Sequence, residues 1–472
     1  MKISTNREEY LVEFQDLAKL FGLHEEKDDQ LALTHVEEWI DEKIQGKFEL
    51  TRGDNLNEYL YDYDLDLKLS PLRQKSVRKR KAQNELYKIL CKELSITLPW
   101  GSLTGVRPTK FARDLIEYGE IKESYLVPEM LNRDYFVSMD KARLVGQIIK
   151  NQKGIIRNDN LVDLYINIPI CPTRCVYCSF ILSELGKVCH LVDKYIDCLI
   201  KEIECVKEII RKKSYIVRNI YVGGGTPSVL SAEQLEKLLG QVNFPVNEFT
   251  VECGRPDTIT PEKLNVLKNH GVTRISINPQ TFCEATLKRI GRKQKNIQVL
   301  EAYTYALERD FVVNMDIIAG LPGEKLGVFK RTINTLLELQ PHNITVHTLS
   351  IKNGSSLSEQ NDIVDDKDVL KMLDFAEETL FKNGYKPYYL YRQKNQLKGL
   401  ENVGYFRDNF TCMFNIDSME ETNTIIGIGA GAISKRVFNL ERKLERLANV
   451  KFIEDYIARF DEMLEKKREF FK

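Results

Sequence analysis

Three cysteines of this sequence, Cys171, Cys175 and Cys178, fall within eight residues as C-x3-C-x2-C. They lie in the segment Tyr165-Ile-Asn-Ile-Pro-Ile-Cys-Pro-Thr-Arg-Cys-Val-Tyr-Cys-Ser-Phe180. Thiolates at such spacing serve two kinds of metal site. A structural zinc takes four closed ligands, and the next candidates, Cys189 and His190, lie more than ten residues past Cys178. Cys198 and Cys205 sit one heptad apart on an expected helix, where thiols act as small buried hydrophobes. A four-iron cube held by three thiolates keeps one iron open to a small molecule, whereas an electron-transfer cluster usually has a fourth cysteine. Both metals stay open at this point, with the cube favoured by the ligand count.

An open iron suits a ligand that chelates through an amine and a carboxylate. S-adenosylmethionine offers both, next to a sulfonium whose carbon–sulfur bond breaks on accepting one electron, with release of a radical able to abstract an unactivated hydrogen. The protein then has to position that cofactor and exclude water.

The elements that must carry these residues follow from hydrophobic periodicity. Short β-branched runs recur at 164–168, 219–222, 249–252, 273–277, 312–317 and 343–347, with amphipathic segments between them. The clearest of these segments carries Ile196, Leu199, Ile203, Val206 and Ile210. Parallel strands joined by right-handed helical crossovers predict an α/β fold, an open, partial (βα)6 barrel over 156–350. Functional residues of such barrels gather at the C-terminal ends of strands. The cysteines follow the first strand, Gly223-Gly-Gly-Thr-Pro227 follows the second, Glu252 ends the third, Gln280 follows the fourth and Asp316 lies near the end of the fifth.

Outside this stretch the alternation is lost, which predicts an N-terminal accessory domain over 1–155 and a C-terminal, lid-like domain over 351–472. Arg73 to Arg80 is a basic run leading into a helix that ends near Leu94, and it reads as a solvated helix face. Leu98 to Lys110, rich in turn formers around Trp100, reads as a packed turn. Lysine plus arginine and aspartate plus glutamate both total 69, so no net field draws the chain to nucleic acid or to an anionic membrane. The charged N-terminal stretch excludes a secretory signal, no apolar run is long enough to span a bilayer, and the ten cysteines are too sparse for a disulfide scaffold. A cytoplasmic location is expected.

The cysteine loop followed by Gly-Gly-Gly-Thr-Pro resembles the signature of the radical S-adenosylmethionine superfamily over about 160–350. Tyr165-Ile-Asn-Ile-Pro169, Ser276-Ile-Asn-Pro-Gln-Thr-Phe282, Ile290-Gly-Arg-Lys-Gln294 and Asn314-Met-Asp-Ile-Ile-Ala-Gly-Leu-Pro322 resemble oxygen-independent coproporphyrinogen III dehydrogenases. The Leu98 to Lys110 turn, Glu252-Cys-Gly-Arg-Pro-Asp257, Tyr391-Arg-Gln-Lys-Asn395 and Glu401-Asn-Val-Gly-Tyr405 resemble its HemZ-type branch.

That resemblance implies that Cys171, Cys175 and Cys178 ligate a [4Fe-4S] cluster and that Gly223, Gly224, Gly225, Thr226, Glu252, Gln280, Arg292 and Asp316 contact S-adenosylmethionine. Glycines there let backbone approach the ammonium, carboxylates suit ribose hydroxyls or the ammonium, and an arginine suits the carboxylate. Tyr165 is expected on the catalytic side of the cluster, and Gly427 to Ala432 resembles the family's loop near the cofactor. The implied substrate is coproporphyrinogen III, with Arg255, Arg392 and Lys394 meeting propionates and Tyr389 and Tyr391 flanking a ring. The implied reaction converts propionate to vinyl twice, consuming two cofactor molecules, with flavodoxin or ferredoxin as the kind of electron donor. One position departs from the family: Phe180 stands where the dehydrogenases carry a further, non-ligating cysteine, which bears on decarboxylation and not on the cluster. The same fold and motifs also serve haem chaperones and other haem-handling relatives, so a haem-binding protein is the alternative reading.

Overall fold

The computed structural model describes residues 1–24, 31–40, 43–152, 155–178, 183–350, 366–393 and 399–472. By their contacts they separate into unit one, 1–146 with 392–400, and unit two, 147–391 with 401–472.

In unit one, alternation of buried and exposed residues builds β1 (Lys2–Thr5), β2 (Leu31–Ile40), β3 (Lys43–Arg52) and β4 (Asn55–Asp64). They form one sheet in the order β1-β2-β3-β4, with β1 parallel to β2 and the rest antiparallel. Helices Leu11–Leu20 and Pro71–Leu94 bring Phe14, Leu17, Leu86 and Leu90 into one core with Leu33, Phe48 and Leu50. The longer helix starts where a turn ends, with Ser70 as N-cap and Pro71 in its first turn.

The basic run at the start of that helix is not simply solvated. Arg73 and Arg80 pair with Glu120, Lys79 with Glu13, and Arg78 donates twice to Glu37, at 2.9 and 2.5 Å. Glu37 is fully buried and also accepts from Tyr10 at 3.0 Å and, more weakly, from Tyr61 and Tyr63. A carboxylate in such a place needs a paired cation and a closed set of donors. Trp100 is buried, as the packed turn required.

Unit two continues with β5 (Leu161–Ile168), β6 (Ile170–Cys171), β7 (Ser183–Glu184), β8 (Ile216–Gly224), β9 (Glu248–Glu252), β10 (Arg274–Ser276), β11 (Val312–Ala319) and β12 (Asn343–Thr348). Then follow β13 (Lys386–Arg392), β14 (Glu401–Phe406), β15 (Thr424–Ile428), β16 (Ile433–Phe438) and β17 (Lys443–Ala448). Each of the six expected strands is present, and β5, β8, β9, β10, β11 and β12 are parallel neighbours in chain order. The whole sheet runs β13-β14-β12-β11-β10-β9-β8-β5-β15-β16-β17, so among the described residues it is open, with β13 and β17 at its edges.

Residues 386–448 thus extend both sides of the sheet. β15 adds a seventh parallel strand beside β5, with Gly427 opposite Tyr165, and β14 runs antiparallel to β12. The division by contacts accordingly differs from the sequence boundaries at 155 and 350, because alternation of strand and helix reports local chain order and strand pairing does not. No helix among the described residues is long and apolar enough to cross a membrane.

Candidate functional site

The cysteine loop leaves the C-terminal end of β5. Cys171 closes the short pair β6–β7, and the Cys178 amide donates to the Cys175 carbonyl at 3.0 Å. Cys171 and Cys175 are buried and Cys178 is half-buried. Val176 and Tyr177, between the last two cysteines, pack on Leu287, Ile290, Ile318, Leu321 and Leu349, which anchors the loop to two other strand ends. Burial pushes the Cys171 thiol up to about 11, against the pull of Thr226, whose hydroxyl lies 3.3 Å from its sulfur. A buried thiol of this kind ionises when a cation binds it. Among the described residues no three His, Cys, Asp or Glu side chains converge on a single-ion position. Three thiols from one loop, with no fourth protein donor named beside them, are the kind of donor set that suits a [4Fe-4S] cluster.

The glycine run ends β8 against this loop. The amides of Gly225 and Thr226 both donate at 2.8 Å, to the carbonyls of Ile168 and Ile170. A Cβ on Gly225 would come 2.5 Å from the Ile170 carbonyl oxygen, and one on Gly224, where φ is +110°, would overlap the Asn167 side chain. A Cβ on Gly223 would come 3.0 Å from the Glu252 carboxyl carbon. The three glycines are thus required first by close approach of the protein to itself, which seats the cysteine loop and Glu252.

Along the parallel strands a few half-exposed side chains interrupt otherwise buried runs: Tyr165, Tyr221, Glu252, Asn314, Asp316 and His347, with Tyr391 on β13. They share one face. Tyr165 stacks near Tyr221 and Phe414, with centroids 6.2 Å away in each case, and Tyr221 lies 4.5 Å from Phe414. The Tyr221 hydroxyl donates to Glu252 at 2.7 Å, and the Gly224 amide reaches its other oxygen at 3.3 Å. Burial pushes the Glu252 carboxyl up to about 7; Tyr221 opposes the rise and the charge of Asp316 adds to it. Asp316 is half-buried, and against the effect of desolvation its carboxyl is held below the usual range by His347, 3.5 Å away, and by Asn314, which donates at 2.7 Å.

Gln280 follows β10, and Arg292 follows the short helix Glu284–Arg289. Gln280 has φ +65°, an uncommon conformation for a side-chain-bearing residue, and is held there by backbone bonds to Asp316 and Ile318. Its Oε1 is buried without a hydrogen-bond partner among the described residues, as is Arg292 Nε. Arg292 Nη1 donates to the carbonyls of Gly254 and Asn278 and to Gln294, at 3.2, 2.7 and 3.0 Å. The nearby Tyr177 and Cys175 raise its affinity for the proton. A buried cation beside a cysteine, with unmet polar atoms around it, suits a zwitterionic ligand next to an anionic cluster.

The loop after β15 is held by a buried ion pair. Glu202 lies 2.6 Å from Lys467, accepts from the Gly429 amide at 2.7 Å and from Asn449 at 2.9 Å, and is bonded by Tyr456. Lys467 also donates to the Gly427 carbonyl. Ala430 receives Asn167, the residue that touches both Gly224 and Tyr165, so the small-residue run is tied to the base of the cysteine loop.

The residues expected at substrate propionates fare differently. Arg255 is buried and forks onto Asp257 at 2.9 and 2.7 Å while reaching Thr173 Oγ1 at 3.1 Å, so it braces the cysteine loop. Arg392 lies in unit one, across the Trp100 ring, with its guanidinium on the carbonyls of Leu103, Gly105 and Gly399. Both guanidinium groups thus bond to protein acceptors in this structure, Arg255 to Asp257 and Thr173, and Arg392 to backbone carbonyls. Lys394 and Phe180 lie outside the described residues. Sequence reasoning missed Tyr221, Asn314, His347 and Phe414. The first three stand out as polar side chains at alternate positions on apolar strands, a signal present in the sequence; Phe414 comes from helix Met413–Glu420 and gave none.

Fold and site together define a radical S-adenosylmethionine protein, the class that carries this cofactor with a [4Fe-4S] cluster, and residues 165–336 match the profile of the Radical SAM superfamily. The chain is 38% identical over 386 residues to the oxygen-independent coproporphyrinogen-III oxidase-like protein HemZ of Bacillus subtilis, covering 79% of this chain and 77% of that protein. It belongs to that HemZ-type family. It is also 29% identical over 287 residues to the haem chaperone HemW of Escherichia coli, with 59% of this chain and 71% of that protein covered. Against HemW of B. subtilis the identity is 36% over 195 residues, 40% of this chain and half of that protein. In fold it resembles the coproporphyrinogen III oxidase HemN of E. coli, described as a radical SAM enzyme, with TM-score 0.52, 22% identity, and 69% and 73% of the two chains covered.

Proposed function

We propose that the protein is a radical S-adenosylmethionine enzyme acting on a tetrapyrrole, with coproporphyrinogen III as its substrate and conversion of propionate to vinyl as its reaction. The observation that carries the reading is the common face beside the cysteine loop, where Tyr165, Tyr221 and Phe414 offer flat apolar surface and Glu252, Asp316 and His347 offer polar contacts. Cys171, Cys175 and Cys178 would hold the cluster, and Glu252, Gln280, Arg292 and Asp316 the cofactor. Together these groups supply reductive carbon–sulfur cleavage and removal of an unactivated hydrogen. The chain's own part is positional. Tyr221 and the Gly224 amide fix Glu252 toward the ligand, Arg292 and Arg255 brace the loop, and the aromatic stack keeps water from the reacting face. A reduced flavodoxin or ferredoxin would serve as donor, in a reducing compartment.

A second reading, a haem-binding protein that transfers its cargo, is favoured by the commitment of Arg255 and Arg392 to protein acceptors. The two are separated by anaerobic incubation of reduced, cluster-loaded protein with S-adenosylmethionine and coproporphyrinogen III. The enzyme reading expects 5′-deoxyadenosine and vinyl product to rise together. Stable haem binding without substrate-dependent cofactor cleavage overturns it in favour of the second.

A further inference from the structure

The loop after β15 stands at the same rim as the cysteine loop, because β15 is the parallel neighbour of β5, with Ile428 opposite Ile166. Asn167 joins the two. Its Nδ2 donates to the Ala430 carbonyl, and the Tyr195 hydroxyl donates to the Asn167 carbonyl at 2.7 Å while accepting from the Ala430 amide at 3.0 Å. Asn167 also presses on the glycine run, since a Cβ on Gly224 would stand 1.9 Å from its Oδ1. The fit is as close at Gly429, where φ is +99° and a Cβ would come 2.7 Å from the Asn167 carbonyl oxygen. A shift of the loop is therefore passed to Asn167, and from there to Gly225 and Thr226, whose amides hold the start of the cysteine loop.

The loop is fixed from behind by the fully buried pair of Glu202, on helix Val192–Lys213, and Lys467, on helix Phe460–Phe470. Glu202 Oε1 takes Lys467 at 2.6 Å and Asn449 at 2.9 Å, while Oε2 takes the Gly429 amide at 2.7 Å and the Tyr456 hydroxyl. Lys467 donates in turn to the Gly427 carbonyl, and Asn449 to the Gly429 carbonyl at 2.9 Å. Desolvation works against the charge on Glu202, yet Lys467 and these donors hold its carboxyl below the usual range. A buried ion pair adds little stability over apolar residues of similar volume. It supplies direction instead: a carboxylate accepts on both of its oxygens, where a glutamine in its place has one acceptor oxygen.

We propose that Glu202 and Lys467 are positioning residues for S-adenosylmethionine. They hold 427–431 so that Asn167 and the glycine run keep the geometry that receives the cofactor, and neither touches the cofactor itself. This rests on the cofactor reading above, and it makes the C-terminal helix a support of the cofactor site.

The test uses full-length, cluster-loaded protein under anaerobic conditions. It measures iron per chain, the urea midpoint by circular dichroism, and S-adenosylmethionine affinity by equilibrium dialysis. The electron paramagnetic resonance spectrum of the reduced cluster is recorded with and without the cofactor. Glu202→Gln/Lys467→Met removes both charges together, so no lone charge stays buried, and its iron content and urea midpoint should remain close to wild type. Its affinity should fall by about 10- to 100-fold, the range for losing a support behind a bound group. At a concentration that saturates the wild type, the cofactor should then leave most of the variant's cluster spectrum unchanged. Tyr195→Phe keeps the ring and drops only the hydroxyl between Ala430 and Asn167. It should lose affinity by a smaller factor, and it decides the question if the double variant does not fold. Wild-type affinity and spectra in the folded variant would overturn the positioning role and leave the cofactor reading standing. Affinity that falls only in step with the urea midpoint would overturn it too, making the pair structural. Failure of the wild type to bind S-adenosylmethionine would overturn the cofactor reading itself.

Discussion

The basic run of unit one and the polar face of unit two are both dense in ionisable groups, yet they end in opposite states. Arg73, Arg78, Lys79 and Arg80 each meet an acidic partner, Glu120, Glu37 or Glu13, within their own unit. On the polar face, Glu252 is left near neutrality by burial, and Gln280 Oε1 and Arg292 Nε find no partner among the described residues. Charge density alone therefore does not mark a binding site. Buried or half-buried polar groups with bonding capacity to spare mark one better, because desolvating them is offset only when a ligand arrives.

The contrast can be broken most severely at the cysteine loop. Cys175→Ala should reduce the reconstituted protein from about four irons per chain to near none and abolish S-adenosylmethionine cleavage, with a circular dichroism spectrum close to wild type. Retained iron and cleavage would refute the ligand assignment. Within unit one the corresponding stroke is Glu37→Gln, which leaves Arg78 without its buried partner and should cost about 3–5 kcal/mol. Both tryptophans, Trp39 and Trp100, lie in unit one, so urea unfolding followed by their fluorescence should shift while cluster content and cofactor affinity stay unchanged.

A smaller effect sharpens the comparison through pH. The carboxyls of Glu252 and Glu324 are each pushed up by burial from 4.5 to about 7. Between those values the folded state holds protons that the unfolded chain has released. Their contribution to stability is therefore full below pH 4.5 and is lost as pH rises through 7. Glu252→Gln should flatten that decline by one proton's worth of slope in urea titrations followed by circular dichroism; an unaltered slope would show that Glu252 is ionised throughout. Arg73→Gln should matter least. It removes a partly exposed pair with Glu120 and a contact over the Tyr118 ring, for a loss of about 1 kcal/mol in the same fluorescence-detected unfolding, and no change in ligand binding.

Much of unit two was legible in the chain. β-branched runs and apolar spacing located β5, β8, β9, β10, β11 and β12, and their helical crossovers gave the neighbour order, because successive parallel strands joined in this way lie side by side. The strand-end positions of Cys171, Gly223, Glu252 and Gln280 followed from the same pattern. β15 was not legible as a partner of β5, since about 260 residues intervene in the chain and the Gly427 to Ala432 run looks like a loop. Arg392 is a related case. Its neighbours Tyr391 and Tyr389 belong to unit two, while it and its acceptors lie in unit one.

By itself the sequence determined the spacing of Cys171, Cys175 and Cys178, the parallel strand order and the strand ends at which the candidate residues collect, because motif spacing and periodicity act over a few residues. Only the tertiary structure decided which charged groups are spent and which are spare. That depends on partners remote in the chain, such as Glu37 for Arg78, Lys467 for Glu202 and Asp316 for His347. Burial sets the cost of an unpaired charge, and burial is a property of the folded molecule alone.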